Sequence, residues 1–231
     1  TSVHNFCPVP DQLQAKKVFP DHYNLASQDK SIRKKGVELA KLTIDTAKSL
    51  STHAVVVHLG RVEVDDRTRE LALNSNDKKN YLKIRDLMKF ERSQKEKAHF
   101  ETALESLKEL SDYARTRNIR LGIENRFYYR EIPIIEEFDL IMKRFSGDDT
   151  VFYWHDVGHA KVFENLGLAK EDEYLKLMKD RVLGMHIHDV FGIDDHRPPG
   201  EGSVDFYRLK KYIKDDTLLV LEIHKNSKAA D

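Results

Sequence analysis

The chain has 231 residues, enough for a single large α/β domain over 1–231, and its 39 basic residues balance 39 acidic ones, so no global field draws it to nucleic acid or an anionic membrane. One cysteine, Cys7, excludes an intrachain disulfide framework, has no identifiable base or partner, and suits a reducing compartment. No apolar run approaches the ~20 residues that cross a bilayer and no signal-peptide pattern opens the chain; a cytoplasmic protein is expected.

SVHNF at residues 2–6 reads as a strand ending in a turn-like CPVP. A domain seldom starts in mid-strand, so an N-terminally incomplete domain is expected. An irregular stretch rich in Pro, Asp and Asn runs to about Gln28. Ser27 or Asp29 then offers a cap, and Val37, Ala40, Ile44 and Ala47 recur at spacings of three and four, which predicts a helix. It leads into AVVVHLG at 54–60. Residues 61–78 are charged and aperiodic and are expected as a surface loop, whereas 79–117 is a polar helical region with room for two helices. IRLGIEN at 119–125 follows, then a loop with Pro133, a helix near 134–145 carrying Ile135, Phe138 and Ile141, and a stop at Ser146, Gly147 and Asp148. VFYWHDVGH at 151–159 is read as a strand reaching His159, with a helix near 170–180 after it. VLGMHIHD at 182–189, a Gly/Pro loop over 190–203, a short helix over 204–214 and LLVLEI at 218–223 complete the order.

Strand and helix alternate with short turns, which implies a parallel sheet with right-handed crossovers, and ligands bind beyond the carboxyl ends of such strands. Nine ligand-type residues sit where six apolar segments give out: His4, His58, Glu124, Asp156, His159, His186, Asp194, His196 and Glu222. Glu124 and Glu222 each end a mainly aliphatic run, where an ionised carboxylate is costly unless paired or coordinated; a salt-bridged glutamate is the plainer reading. Asp156 and His159 lie three apart around Gly158, and alone they read as a capping aspartate and a surface histidine. His186 and His188, one residue apart on a strand, point to one face and suit a metal, with a buried hydrogen-bonded pair as competitor. Asp194 and His196 add Asp-x-His in the loop that carries PPGEG at 198–202. His22, His53, His99, His155 and His224 have no comparable setting and are read as ordinary. The whole pattern predicts a metalloenzyme.

In this order the segments resemble the xylose isomerase-like barrels, a superfamily that includes endonuclease IV and many sugar isomerases and epimerases. SVHNF is similar to that barrel's third strand, VVVHLG to the fourth, GIEN to the fifth, HDVGHA to the sixth, GMHIHD with its Asp-x-His-x-x-x-Gly-x-Gly tail to the seventh and LVLEI to the eighth; YNLAS at 23–27 is similar to a segment after the third strand in endonuclease IV. The resemblance implies an α/β fold, a TIM-type parallel barrel lacking its first two strands in this chain, which a missing segment or a homo-oligomer would complete. It implies a central divalent metal (Zn, Mn or Mg) on Glu124, Asp156, His186 and Glu222. In endonuclease-like members the positions matching His4 and His58 join Glu124 at a second ion, and those matching His159, Asp194 and His196 hold a third, for one to three ions in all. His188 is an additional candidate at the same rim.

Three activities are consistent with this. The leading expectation is a metal-dependent isomerase or epimerase of a small sugar, sugar phosphate or polyol, in which Glu124 and Glu222 exchange a carbon-bound proton and His159 contacts substrate. The alternative is an endonuclease IV-like zinc phosphodiester hydrolase acting on abasic DNA, favoured by the full ligand set and disfavoured by short loops and the lack of a basic track. A non-catalytic barrel remnant that binds metal or a partner is the third.

Overall fold

The computed structural model describes residues 1–9 and 23–224, so His22 and much of the irregular stretch before Gln28 lie outside the described residues. Strand β1 (Val3–His4) is followed by helix α1 (Lys30–Ser49) and β2 (Ala54–Val57). Helices α2 (Thr68–Leu73), α3 (Lys78–Ser93) and α4 (Glu96–Arg115) lead to β3 (Arg120–Glu124), then α5 (Ile135–Arg144) and β4 (Val151–Asp156). Next come α6 (Val157–Asn165), α7 (Glu171–Met178), β5 (Val182–Ile187), a hairpin of β6 (Asp189–Phe191) and β7 (Asp194–Arg197), α8 (Phe206–Leu209) and β8 (Leu218–Leu221).

Six strands in the order β1-β2-β3-β4-β5-β8, every neighbouring pair parallel, form one curled sheet, a TIM-type half-barrel that is incomplete in this chain. Its edges are β1 and β8, and on β8 Leu219 and Leu221 are 52% and 68% exposed. Among the described residues no helix is long and apolar enough to cross a membrane.

Alternation along each strand sorts the side chains. Val55, Val57, Leu121, Ile123, Val151, Tyr153 and Met185 face outward and pack with Val37, Ala40, Ile44 and Ala47 of α1, Ala103, Leu107 and Leu110 of α4, Phe138 and Ile141 of α5, and Tyr174 and Leu175 of α7. Ala54, Val56 and Trp154 fill the interior, with Phe152, Leu218 and Val220 against them; Leu183 joins them because the register between β4 and β5 shifts at this residue, interrupting the alternation there. Trp154 fits because its neighbours are glycines: a Cβ on Gly184 would run into the indole, and one on Gly122 would lie 3.1 Å from it. Two residues beyond Val56, Gly122, Trp154, Gly184 and Val220 come His58, Glu124, Asp156, His186 and Glu222. The period of two that buries the interior therefore delivers the polar groups to its rim.

Local signals explain most boundaries. Asp29 caps α1, its carboxylate accepting from the Ser31 amide at 2.8 Å and also from that of Ile32. Glu137 accepts from the Ile134 amide at 2.8 Å and closes the first turn of α5 just after Pro133. The predicted 79–117 region divides into α3 and α4 at Gln94 and Lys95. Three expectations are corrected. The stretch 61–78 is not wholly loop, because α2 buries Thr68 and Leu71, a helix too short to show periodicity. The strand at 151 stops at Asp156, which caps α6 by accepting from the His159 amide at 2.7 Å, so His159 is helical. The Gly/Pro loop after β5 contains the β6–β7 hairpin, held by Asp189, whose carboxylate accepts from the amides of Gly200 and Gly202 at 2.9 Å and Val204 at 3.0 Å.

Candidate metal centre

Glu124, Asp156, His186 and Glu222 come from the ends of β3, β4, β5 and β8, and one ligand atom from each lies within 4.8 Å of all the others. His186 Nδ1 is the meeting point, 2.6 Å from Glu124 Oε1, 2.9 Å from Glu222 Oε2 and 3.5 Å from Asp156 Oδ2. Glu124 and Asp156 are fully buried, while Glu222, with 29% of its side chain exposed, faces an open cavity of about 510 Å³. The cavity is also lined by His4, His58, Arg69, Arg126, His159 and His196.

Three carboxylates around one ring nitrogen leave a charge deficit. Burial would raise Glu124, but His58 and His186 outweigh it and hold the carboxyl well below its usual range. Asp156 is likewise held low against burial by His159 and His188, and Glu222 is brought down to about 2, again against burial, by His186. Burial would lower His186, yet the carboxylates led by Glu124 push it up to about 12. A single ring proton can satisfy one of three acceptors; a divalent cation answers all three at once. The donor set of three carboxylates and one imidazole therefore fits Zn, Mn or Mg on its chemistry.

The surrounding residues fix these groups. Asn125 donates from Nδ2 to the Asp156 carbonyl and accepts the Asp156 amide at Oδ1, both at 2.8 Å, while its carbonyl accepts from His159 Nδ1 at 3.0 Å. That bond leaves His159 Nε2 directed at the cavity, 3.6 Å from Asp195 Oδ2. His188 Nδ1 accepts the His196 amide at 2.9 Å, so its proton sits on Nε2 and is donated to Asp156 Oδ1 at 3.0 Å. Gly158 is required beside it, since a methyl there would run into the His188 ring. Tyr153 lies behind Asn125, its hydroxyl 2.9 Å from Asn125 Oδ1 and 2.6 Å from His155 Nδ1, and burial takes His155 down to about 3.

His4 and His58 form a second group with Glu124. His4 Nε2 is 3.7 Å from Glu124 Oε2, and its ring meets that of His58 edge-on at 4.5 Å. Burial and His58 lower the His4 pKa. His58 is held by its amide, which donates to Asn5 Oδ1 at 3.1 Å, and its Nε2 touches Glu124 Oε2.

A third group corrects one expectation: Asp195, rather than Asp194, joins His159 and His196. Asp194 is exposed and pairs with Arg197 at 2.8 Å, while Asp195 Oδ2 lies 3.0 Å from His196 Nδ1. The resemblance placed Asp194 with His159 and His196 in this group. His196 takes a left-handed backbone with φ 54°, which turns its ring to the side of its immediate neighbour.

Sequence reasoning passed over several residues. His224, read as ordinary, stacks on His196 at 4.0 Å and lines the cavity; its spacing of two from Glu222 was the available signal. Asn125 stands beside Glu124 in the GIEN segment, and Asp189 ends HIHD, yet neither spacing discloses what the side chain grips. His99 is an ordinary core histidine, its Nδ1 bonded to the Ala26 carbonyl at 2.8 Å.

A parallel α/β half-barrel with convergent carboxylates and imidazoles at the carboxyl rim of its strands defines the class. The chain belongs to the xylose isomerase-like TIM barrel family, whose model matches residues 3–231. It is 27% identical over 207 residues to y4fM, an uncharacterized protein of Sinorhizobium fredii, covering 89% of this chain and 55% of that one, so it spans about half the length of that relative. Its fold is similar to that of a D-tagatose 3-epimerase-like protein (TM-score 0.61, 23% identity, 86% of this chain and 66% of that one). It is similar also to L-ribulose 3-epimerase (TM-score 0.60, 18% identity, 87% and 59%). At these identities the likeness establishes the fold.

Proposed function

We propose that this chain carries the reaction rim of a metal-dependent isomerase or epimerase acting on a small sugar, sugar phosphate or polyol. The observation that carries the reading is the convergence of Glu124, Asp156, His186 and Glu222 within 4.8 Å, with Glu124 and Glu222 lining a cavity of about 510 Å³, a size suited to a small molecule. Membership of a family named for xylose isomerase and fold likeness to two sugar 3-epimerases support sugar chemistry.

Those four residues would hold a divalent cation, which would supply polarisation of a substrate carbonyl and its neighbouring hydroxyl and so acidify the hydroxyl-bearing carbon beside the carbonyl. Glu124 and Glu222 are both held ionised, the state in which a base must begin. One takes the carbon-bound proton and leaves its electron pair in an enediolate; for epimerisation the other, after taking up a proton from solvent, returns it to the opposite face, and for isomerisation the newly protonated carboxyl delivers its proton to the neighbouring carbon. His159, fixed through Nδ1, presents Nε2 to a substrate hydroxyl. Asp156 takes no proton and holds charge and position, anchored by His188 and Asn125.

The phosphodiester hydrolase is disfavoured by the guanidinium of Arg126, which stands among the second group of ligands.

The test is solvent exchange. In D2O with Mn2+, ketohexose and ketopentose substrates should gain deuterium at the carbon beside the carbonyl, and Glu124→Gln and Glu222→Gln should each lower turnover by at least about 10²-fold. Full activity in either variant, or cleavage of an abasic-site duplex in place of exchange, would refute the assignment.

A further inference from the structure

The second ion that the family resemblance implies, on His4, His58 and Glu124, does not fit what surrounds those residues. His58 Nε2 and Glu124 Oε2 converge on one point, and the chain already places a cation of its own there. Arg126 Nη1 donates to Glu124 Oε2 at 2.7 Å and lies against His58 Nε2, so its charge occupies the point where the two ligand atoms meet. On the other side Arg126 Nη2 donates to Glu131 Oε1 at 2.9 Å. Glu131 is 2% exposed, and its second oxygen accepts the Tyr128 amide at 2.7 Å. The guanidinium, on a residue 9% exposed, is thus clamped between two buried carboxylates.

We propose that Arg126 is a built-in substitute for a second metal ion: its guanidinium fills the position between His58 and Glu124, and that group takes up no cation from solution. Withdrawing Arg126 to admit an ion would break its charge-assisted bonds to two buried carboxylates, Glu124 and Glu131, which is strongly unfavourable. A guanidinium also keeps its charge at any working pH and is not lost to chelators. The substitution divides Glu124 between two tasks. Oε2 is committed to Arg126, which leaves Oε1 facing His186, 2.6 Å away, in the central group. Arg126 is in this sense a positioning residue for Glu124. It cannot generate a hydroxide as a bound metal does, so the His58 side of the cavity supports proton transfer and substrate polarisation rather than metal-activated hydrolysis.

Metal stoichiometry tests this without reference to turnover. Equivalents of Zn2+ retained after equilibrium dialysis are counted for the unaltered chain, His58→Gln, Arg126→Met and the double variant. The unaltered chain and H58Q should retain equal amounts, R126M about one equivalent more than the unaltered chain, and the double variant should lose that gain. The proposal is overturned if the unaltered chain retains about one equivalent more than H58Q, or if R126M retains no more than the unaltered chain. Should R126M fail to fold, the comparison of the unaltered chain with H58Q still decides, and Arg126→Lys, which keeps a cation in place, should match the unaltered chain. The proposed function fails separately: there, Glu222→Gln would leave the count unchanged, whereas the present proposal reads only the His58-dependent equivalent.

Discussion

Asp156 combines two roles that its neighbours make compatible. Its Oδ1 accepts the His159 amide at 2.7 Å, which starts α6, while Oδ2 faces His186 at 3.5 Å. His188 donates to the same carboxylate and fixes its plane, the arrangement by which an outer residue orients a metal ligand. Replacing His188 by Leu removes no proposed ligand, yet should weaken metal affinity by about 10–100-fold, read by competition with a chromogenic chelator. An unchanged affinity would mean that the His159 amide, with Asn125 on the Asp156 backbone, orients the carboxylate without His188. The period of two placed His186 and His188 on one face from sequence, but not which of them meets the carboxylates, because the deciding partners lie on other strands. Asp195 was illegible for a different reason, since the left-handed turn at His196, which brings its ring toward its immediate neighbour, is not encoded by the Asp-x-His motif.

Elements are joined to the sheet by buried polar corners as well as by apolar faces. Where α5 turns into β4, Asp148 accepts from the Thr150 amide at 2.8 Å, from Arg115 at 2.7 Å and from the Ser111 hydroxyl, so one carboxylate ties α4 to the start of β4. Burial raises its pKa, but Ser111, Thr150 and Arg115 outweigh it and keep the carboxyl below its usual range. A depressed carboxyl stabilises the folded state above its unfolded value, here 3.8, and that contribution is lost as pH falls through the lower folded value. Asp148→Asn should therefore cost about 1–3 kcal/mol in urea unfolding at pH 7, and the gap to the unaltered chain should shrink on approach to pH 3. A gap that persists or widens on acidification would show that the carboxylate's charge is not what holds the corner. Long elements such as α1 and α4 were legible because their buried faces repeat at three and four residues. Helix α2 and the β6–β7 hairpin were not, since six and four residues span too little to establish a period and are fixed by contacts made elsewhere.

At the scale of the whole molecule, the proposed ligands arrive from four strands, β3, β4, β5 and β8, so binding a cation fastens most of the sheet at one end. An ion bound only by the folded state, at a free concentration about 100 times its Kd, adds about 2.7 kcal/mol. For a chain of this size that corresponds to roughly 5–10 °C in Tm, so chelation should lower the melting temperature by that amount and Mn2+ or Zn2+ should restore it. A melting curve indifferent to chelator would leave the four residues without a metal role. Glu222 stands at the end of an edge strand whose outer leucines are exposed, so the last ligand rests on the least enclosed part of the sheet.

Sequence alone determined the alternation of strands and helices, the parallel sheet, and the residue types at the rim, because these follow from local periodicity and from the cost of ending an apolar run on a charge. The family resemblance grouped His186 with the three carboxylates; only the tertiary structure decided the finer pairings, Asp195 in place of Asp194 and Arg126 against His58 and Glu124. Those pairings depend on register between strands dozens of residues apart and on single backbone angles. No local spacing encodes either.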